Sequence, residues 1–61
     1  MATSIYEKMR ELKSYLTERH NEIENLRIRQ QAEGDRTGEI INRNRAQLIE
    51  EIYNRIFNEE L

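Results

Sequence analysis

Cysteine and proline are both absent from this chain of 61 residues, and glycine occurs only twice. Without cysteine, the chain can form neither disulfides nor thiolate metal sites. Proline and glycine are the strongest helix breakers, so a chain nearly free of both favours helix throughout. The two glycines, Gly34 and Gly38, lie near its middle. These absences predict an all-α protein with one interruption, and the lack of cysteine fits a cytoplasmic protein.

Long apolar runs are missing as well. No stretch approaches the roughly 20 consecutive apolar residues of a membrane-spanning helix, and the start of the chain lacks the pattern of a secretory signal. We therefore expect no membrane contact. Hydrophobic residues make up 36% of the chain and charged residues another 36%. So small a chain with so little apolar material needs a further source of stability, and oligomerisation is the one that its composition leaves open.

A 4-3 repeat of apolar residues runs through the first half of the chain. Ser4 and Glu7 form a capping-box signature at its start. The repeat places one narrow stripe on a single helix face, which is typical of a coiled-coil seam. Its members, all assigned to self-association, are Ile5, Met9, Leu12, Leu16, Ile23 and Leu26. A seam needs a second helix to cover it, from the same chain, another copy or a different protein.

The segment E-G-D-R-T-G, residues 33–38, interrupts the helical pattern. Gly34 can adopt the left-handed conformation that ends a helix, and Asp35 or Thr37 can cap the next one. A connection of this length joins antiparallel helices. We predict one helical-hairpin domain over residues 1–61, with helices at 4–32 and 38–59 and a turn at 33–37. One continuous helix with a weak point is the alternative.

The apolar residues of the second helix cover a wider arc than those of the first. A wider arc indicates contact with more than one neighbour. Those assigned to self-association are Ile41, Leu48, Ile52 and Ile56. Residues equally far from the turn meet in a hairpin, so we expect Leu48 near Ile23. Ile5 and Met9 then extend beyond the end of the second helix, which is a further reason to expect association with another chain.

Charge is unevenly distributed along the predicted hairpin. The whole chain carries −2; residues 27–45 hold five arginines against three acids, 5 − 3 = +2, and residues 46–61 hold one against four, 1 − 4 = −3. The turn end is therefore basic and the open end acidic. Two copies attract most strongly head to tail, which favours an antiparallel dimer in the form of a coiled-coil-like four-helix bundle.

Few residues are suited to catalysis or metal binding. His20 is the single histidine and is expected on the surface, because one histidine without cysteine cannot build a metal site alone. Glu18 and Glu22 have no pocket in which to act as an acid–base pair. We therefore predict no enzymatic activity, no cofactor and no metal. Arg19 and Arg45 interrupt the apolar stripes, and we expect their methylenes to cover the seam while their charges reach the rim; a role in fixing register is the alternative.

Two surfaces remain for other partners. Ile28, Phe57 and Leu61 lie away from the seam, and they either contact a further protein or are scattered surface residues. The arginines near the turn could bind nucleic-acid phosphates, although acids lie among them; they are Arg27, Arg29, Arg36 and Arg43. The sequence predicts a non-enzymatic protein that self-associates as a structural subunit or adaptor, such as an accessory protein of a phage or bacterial assembly. A nucleic-acid-binding regulator is the alternative.

Overall fold

Two α-helices packed side by side form the whole of the fold in the computed structural model, which describes residues 4–61. Helix α1 spans Ile5–Glu33 and α2 spans Arg36–Phe57. This confirms the prediction of an all-α hairpin; the first three residues of the predicted domain lie outside the described part. The molecule measures 49 × 20 × 13 Å. Its smallest dimension is close to the diameter of one helix, so both broad faces of the helix pair are uncovered.

Side-chain and backbone caps set the ends of α1. The hydroxyl of Ser4 accepts a hydrogen bond from the backbone N–H of Tyr6 at 3.1 Å, and not from that of Glu7 as the capping-box signature predicts. At the other end, Gly34 adopts the predicted left-handed conformation, with φ 76° and ψ 18°. The next N–H, that of Asp35, donates to the carbonyl of Gln30 at 2.8 Å. These bonds satisfy the last carbonyls of the helix and reverse the chain.

Asp35, rather than Thr37, caps α2. Its carboxylate accepts from the backbone N–H of Gly38 at 3.0 Å, so the helix begins at Arg36, two residues before the predicted start. The far end closes at Asn58, which is left-handed with φ 54°. The residues after it turn back toward α1, where the carboxylate of Glu59 accepts from Lys13 Nζ at 3.0 Å. The tail is thereby tied to the first helix.

The contact between the helices has the predicted register. Residues about equally far from the turn meet, as in the 2.8 Å bond that Asn42 Nδ2 donates to Gln30 Oε1. Further along, Glu50 lies beside His20. The residues buried between the helices are Leu16 and Ile23 on α1 and Asn42, Ala46 and Tyr53 on α2.

The face of α2 that packs on α1 differs from the expected one. The centre of the apolar arc of α2 does not face α1. The neighbouring face of α2, which contains Ala46, packs there instead, because this small side chain, only 1% exposed, allows the two backbones to approach closely. The four residues assigned to self-association are instead between 37% and 57% exposed: Ile41, Leu48, Ile52 and Ile56. At about 100° per residue, their stripe lies roughly 100° around the helix from the packed face.

The aromatic residues at the open end are less exposed than expected for a partner surface. Phe57 is half-buried, with its ring centroid 4.9 Å from that of Tyr53. The ammonium group of Lys13 lies 5.5 Å from the Phe57 ring centroid. Leu61 is also half-buried and lines a groove with acidic neighbours. Phe57 and Leu61 are therefore each partly covered within the hairpin, and their contact with a further protein stays a prediction.

Candidate interaction surface

An exposed apolar stripe on α2 is a candidate interaction surface. We call it the open face, defined by Ile41, Leu48, Ile52 and Ile56. Spacings of seven, four and four residues keep these side chains on one side of the helix. All four are large aliphatic side chains with much of their surface in contact with water, which is unfavourable in an isolated hairpin.

The first helix contributes to the same side of the molecule. Arg19 and Ile23 from α1 line a shallow groove of about 340 Å³ together with Arg45, Leu48 and Ile49 from α2. Leu48 thus lies close to Ile23, as the hairpin register predicts. Leu26 follows Arg19 by seven residues, which places it on the same side of α1, and it is exposed. The seam of α1 is consequently only half covered by α2.

Two arginines interrupt this apolar surface. Arg19 turns to the rim and its guanidinium binds Glu22 Oε2 at 3.1 Å, as expected for a seam arginine with a nearby acid. Arg45 is exposed and has no ion-pair partner among residues 4–61. It therefore adds an uncompensated positive charge near the middle of the open face.

The other predicted self-association residues of α1 differ in how far they are buried. Leu16 and Ile23 are buried against α2, so they stabilise the hairpin itself. Met9 and Leu12 are half-buried, and Ile5 is largely exposed at the start of α1. Ile5 remains available to another chain, as the expected overhang of α1 implies.

The arginines near the turn form a weaker patch than their number suggests. Arg27 binds Glu24 Oε2 at 2.7 Å, and Arg43 binds Glu39 Oε1 at 3.3 Å. Arg29 and Arg36 are exposed. Two of the four positive charges are thus compensated within the chain, which lowers the electrostatic attraction for phosphate.

A polar cluster at the open end joins the tail to α1. Lys13 donates to Glu59 Oε2, and the hydroxyl of Tyr53 donates to the same oxygen at 3.4 Å. The hydrogen bond to Glu59, aided by the charge of that carboxylate, holds the pKa of the Lys13 ammonium group above its ordinary value of 10.5, although desolvation acts in the opposite direction. The direction of this pKa change shows that the site favours the charged form of Lys13.

His20 lies between the helices, and its expected position on the surface is wrong. Its side chain is only 14% exposed, and Nε2 lies 3.3 Å from Glu50 Oε2 on α2 and 3.9 Å from Glu24 Oε1 on α1. The sequence already contains the His-x-x-x-Glu spacing that brings His20 and Glu24 to one helix face. Glu50 is thirty positions further along, and only the hairpin register makes it a neighbour.

Comparison with protein-family models, with curated proteins and with solved structures gives no significant match to this chain. Neither helix is both long and apolar enough to cross a lipid bilayer, as far as residues 4–61 are concerned.

Proposed function

We propose that this protein is a non-enzymatic helical hairpin that pairs with a second copy through the open face and serves as a structural subunit or adaptor of a larger assembly. The exposed apolar stripe of α2 is the observation that carries the proposal. Two antiparallel copies would bury their stripes against each other in a dimeric four-helix bundle. A cytoplasmic location, suggested by the absence of cysteine, belongs to the same proposal.

Two further observations support a second copy of this chain as the occupant of the open face. The hairpin is a single helix layer, and a folded domain is normally built from at least two layers around a core. Its turn end is basic and its open end acidic, so the surface of one copy complements the reversed surface of another. Association would therefore provide both the missing core and favourable charge pairing.

A matched pair of isoleucines tests the dimer. Ile40 and Ile41 are neighbours with nearly equal exposure, 49% and 50%, but Ile41 belongs to the open face and Ile40 points away from it. We expect Ile41→Asp to lower the number of chains per particle from two to one in sedimentation, because a carboxylate would be buried at the interface. Ile40→Asp should remain dimeric.

The melting temperature provides an independent measure of the same equilibrium. For the wild type and Ile40→Asp it should rise with protein concentration, since association stabilises only the folded chain. For Ile41→Asp that dependence should disappear. A wild-type protein that is monomeric and melts at the same temperature at every concentration would refute self-association.

The adaptor role requires a surface that remains accessible in the dimer. Ile28 is 61% exposed and lies off the seam of α1, so it is our candidate contact for a further protein. Affinity capture from the native host should recover a partner protein with the wild type and lose it with Ile28→Asp. Both the wild type and the variant should still sediment as dimers. Recovery of the same partner by the wild type and by Ile28→Asp would show that Ile28 is not the contact residue.

Nucleic-acid binding is a distinct outcome that the same purified protein can test. Titration with DNA and with RNA at two salt concentrations should show at most weak binding, because two of the turn-end arginines are paired with acids. Tight binding that falls steeply with salt and is lost on substitution of Arg29 and Arg36 would favour a regulator instead.

A further inference from the structure

Three potential metal ligands meet between the two helices, well away from the open face. They are His20 and Glu24 on α1 and Glu50 on α2, and one ligand atom from each lies within 4.8 Å of the other two. We propose that this cluster binds a divalent transition-metal ion such as Zn²⁺, through the imidazole Nε2 and the two carboxylates. The proposal is independent of self-association.

The state of the imidazole nitrogen points to a missing partner. His20 Nε2 is shielded from solvent and has no hydrogen-bond partner of acceptable geometry among the described residues. It lies 3.3 Å from Glu50 Oε2, yet the donor direction does not meet that oxygen. A buried nitrogen of this kind is costly unless something satisfies it. A metal ion placed between the nitrogen and the carboxylates would do so.

The separations fit a small coordination sphere. With metal–ligand distances of about 2.0–2.2 Å, two ligands of a tetrahedral ion lie roughly 3.4 Å apart. The 3.3 Å between His20 Nε2 and Glu50 Oε2 agrees with that value. Glu24 Oε1 lies 3.9 Å from Nε2, and the three ligand atoms lie within 4.8 Å of one another, so the Glu24 carboxylate has to move closer to complete the third position.

Arg27 orients one of the carboxylates. Its guanidinium binds Glu24 Oε2 at 2.7 Å, while the other oxygen of that carboxylate, Oε1, is the one nearest to His20. Hydrogen bonds of this type commonly position a metal ligand from outside its coordination sphere. Arg27 therefore acts as a positioning residue in the proposed site.

The ligand set also indicates which ions would bind. An imidazole with two carboxylates suits zinc and other first-row transition metals, whereas Mg²⁺ and Ca²⁺ prefer oxygen ligands alone. The two carboxylate charges would neutralise a divalent ion. Glu50 is partly exposed, so water can reach the fourth position from its side. Because the ligands come from both helices, the ion would join α1 to α2 and stabilise the hairpin.

The chain has a single histidine and no cysteine, which makes the test direct. We would titrate the full-length protein with Zn²⁺ and follow the imidazole resonances by NMR and the melting temperature by circular dichroism. Binding at Nε2 should shift the His20 signals. At an excess of about 100-fold over the dissociation constant, Zn²⁺ should raise the melting temperature by roughly 10–20 °C, reversibly on chelation.

Neighbouring glutamates supply the matched control. Glu50→Gln and His20→Gln should each weaken Zn²⁺ binding by at least about tenfold. The control, Glu51→Gln, alters an exposed carboxylate paired with Arg55 and should bind Zn²⁺ like the wild type. Circular dichroism without metal establishes that each variant is folded. Equal binding by all variants, no shift of the His20 signals, or sedimentation showing that Zn²⁺ only cross-links separate particles would overturn the proposal.

Discussion

Asn42 is the most deeply buried polar side chain among the described residues, and its amide is only partly satisfied. Its Nδ2 donates to Gln30, but its Oδ1 is buried without a hydrogen-bond partner in the described part of the chain. An apolar residue would contribute more to stability at this position. A buried amide instead favours the one helix register in which Gln30 lies opposite Asn42. Asn42 thus lowers the stability of the hairpin but defines how the two helices pair.

Replacing Gln30 by Leu tests this interpretation. The change should cost about 1–3 kcal/mol in unfolding free energy, because the buried amide of Asn42 loses its acceptor. The double variant Gln30→Leu/Asn42→Leu should recover most of that loss, since no unpaired amide is left. Urea unfolding at one fixed protein concentration measures both. Additive destabilisation by the two changes would show that the pair is not coupled.

Arg45 is the residue that most opposes the proposed dimer. It lies near the middle of α2, so in an antiparallel pair the two copies of Arg45 would approach each other near the symmetry axis. Like charges at such a position are unfavourable, and the desolvation of a guanidinium adds to the cost. The same charge can discriminate against other arrangements of the helices.

Arg45→Leu should therefore tighten the dimer by about 1 kcal/mol or more, seen as a lower dissociation constant in sedimentation equilibrium. Arg43→Leu is the control, because Arg43 is paired with Glu39 and lies off the open face. If Arg45→Leu weakened association, Arg45 would instead be making a favourable contact with an acid of the second chain.

Among the helical elements, α2 carries two distinct stripes, whereas α1 carries a single narrow one. The packed stripe of α2 includes Asn42, Ala46 and Tyr53, and the open face lies beside it. A helix with two such stripes fits the corner of a bundle, where it contacts two neighbours. Helix α1 provides the first neighbour, and the second chain would provide the other.

The start of α2 depends on a single side chain. Asp35→Ala should lower the unfolding free energy by about 1 kcal/mol. The backbone N–H of Gly38 would lose its hydrogen-bond acceptor, and the positive end of the helix dipole would lose its favourable interaction with the carboxylate. Thr37→Ala, at the second residue of α2, should cost much less. Thermal melts followed by circular dichroism compare the two. Equal losses would mean that Asp35 is not the effective cap.

At the scale of the whole molecule, the uneven charge and the open face together predict an antiparallel dimer. Spin labels on Arg36→Cys lie at the turn, so in an antiparallel pair they should be roughly 40 Å apart, which is twice the distance along α2 from Arg36 to the centre of the open face, about 13 residues at 1.5 Å each. In a parallel pair they would be within about 20 Å, given helix spacings of 8–10 Å. Distances between the labels measured by pulsed electron paramagnetic resonance distinguish the two arrangements.

A second labelled variant verifies that any long distance comes from an assembled pair. Gln47→Cys lies near the middle of α2, so its labels should be within about 30 Å of each other in either orientation. A short distance for both variants would contradict the antiparallel arrangement. High salt should weaken the preference, because the charges at both ends are mostly exposed.

Features that depend on neighbours a few residues away were predictable from the sequence. The absence of proline, the apolar period and the position of Gly34 are sufficient for two helices and the turn between them. The register also follows, because a short turn makes residues equidistant from it meet. By contrast, the cap at Ser4 bonds to a different N–H from the expected one, since small changes in backbone geometry decide between adjacent donors.

A helical hairpin with surplus apolar surface could thus be derived from the amino-acid sequence, because helical periodicity and capping are local properties. Which stripe of α2 faces α1 is set by the packing of the two helices, since that rotation depends on how closely Ala46 lets the backbones approach. The same packing places Glu50 beside His20. Contacts between residues far apart in the chain arise from packing across the whole interface, and no local pattern specifies them.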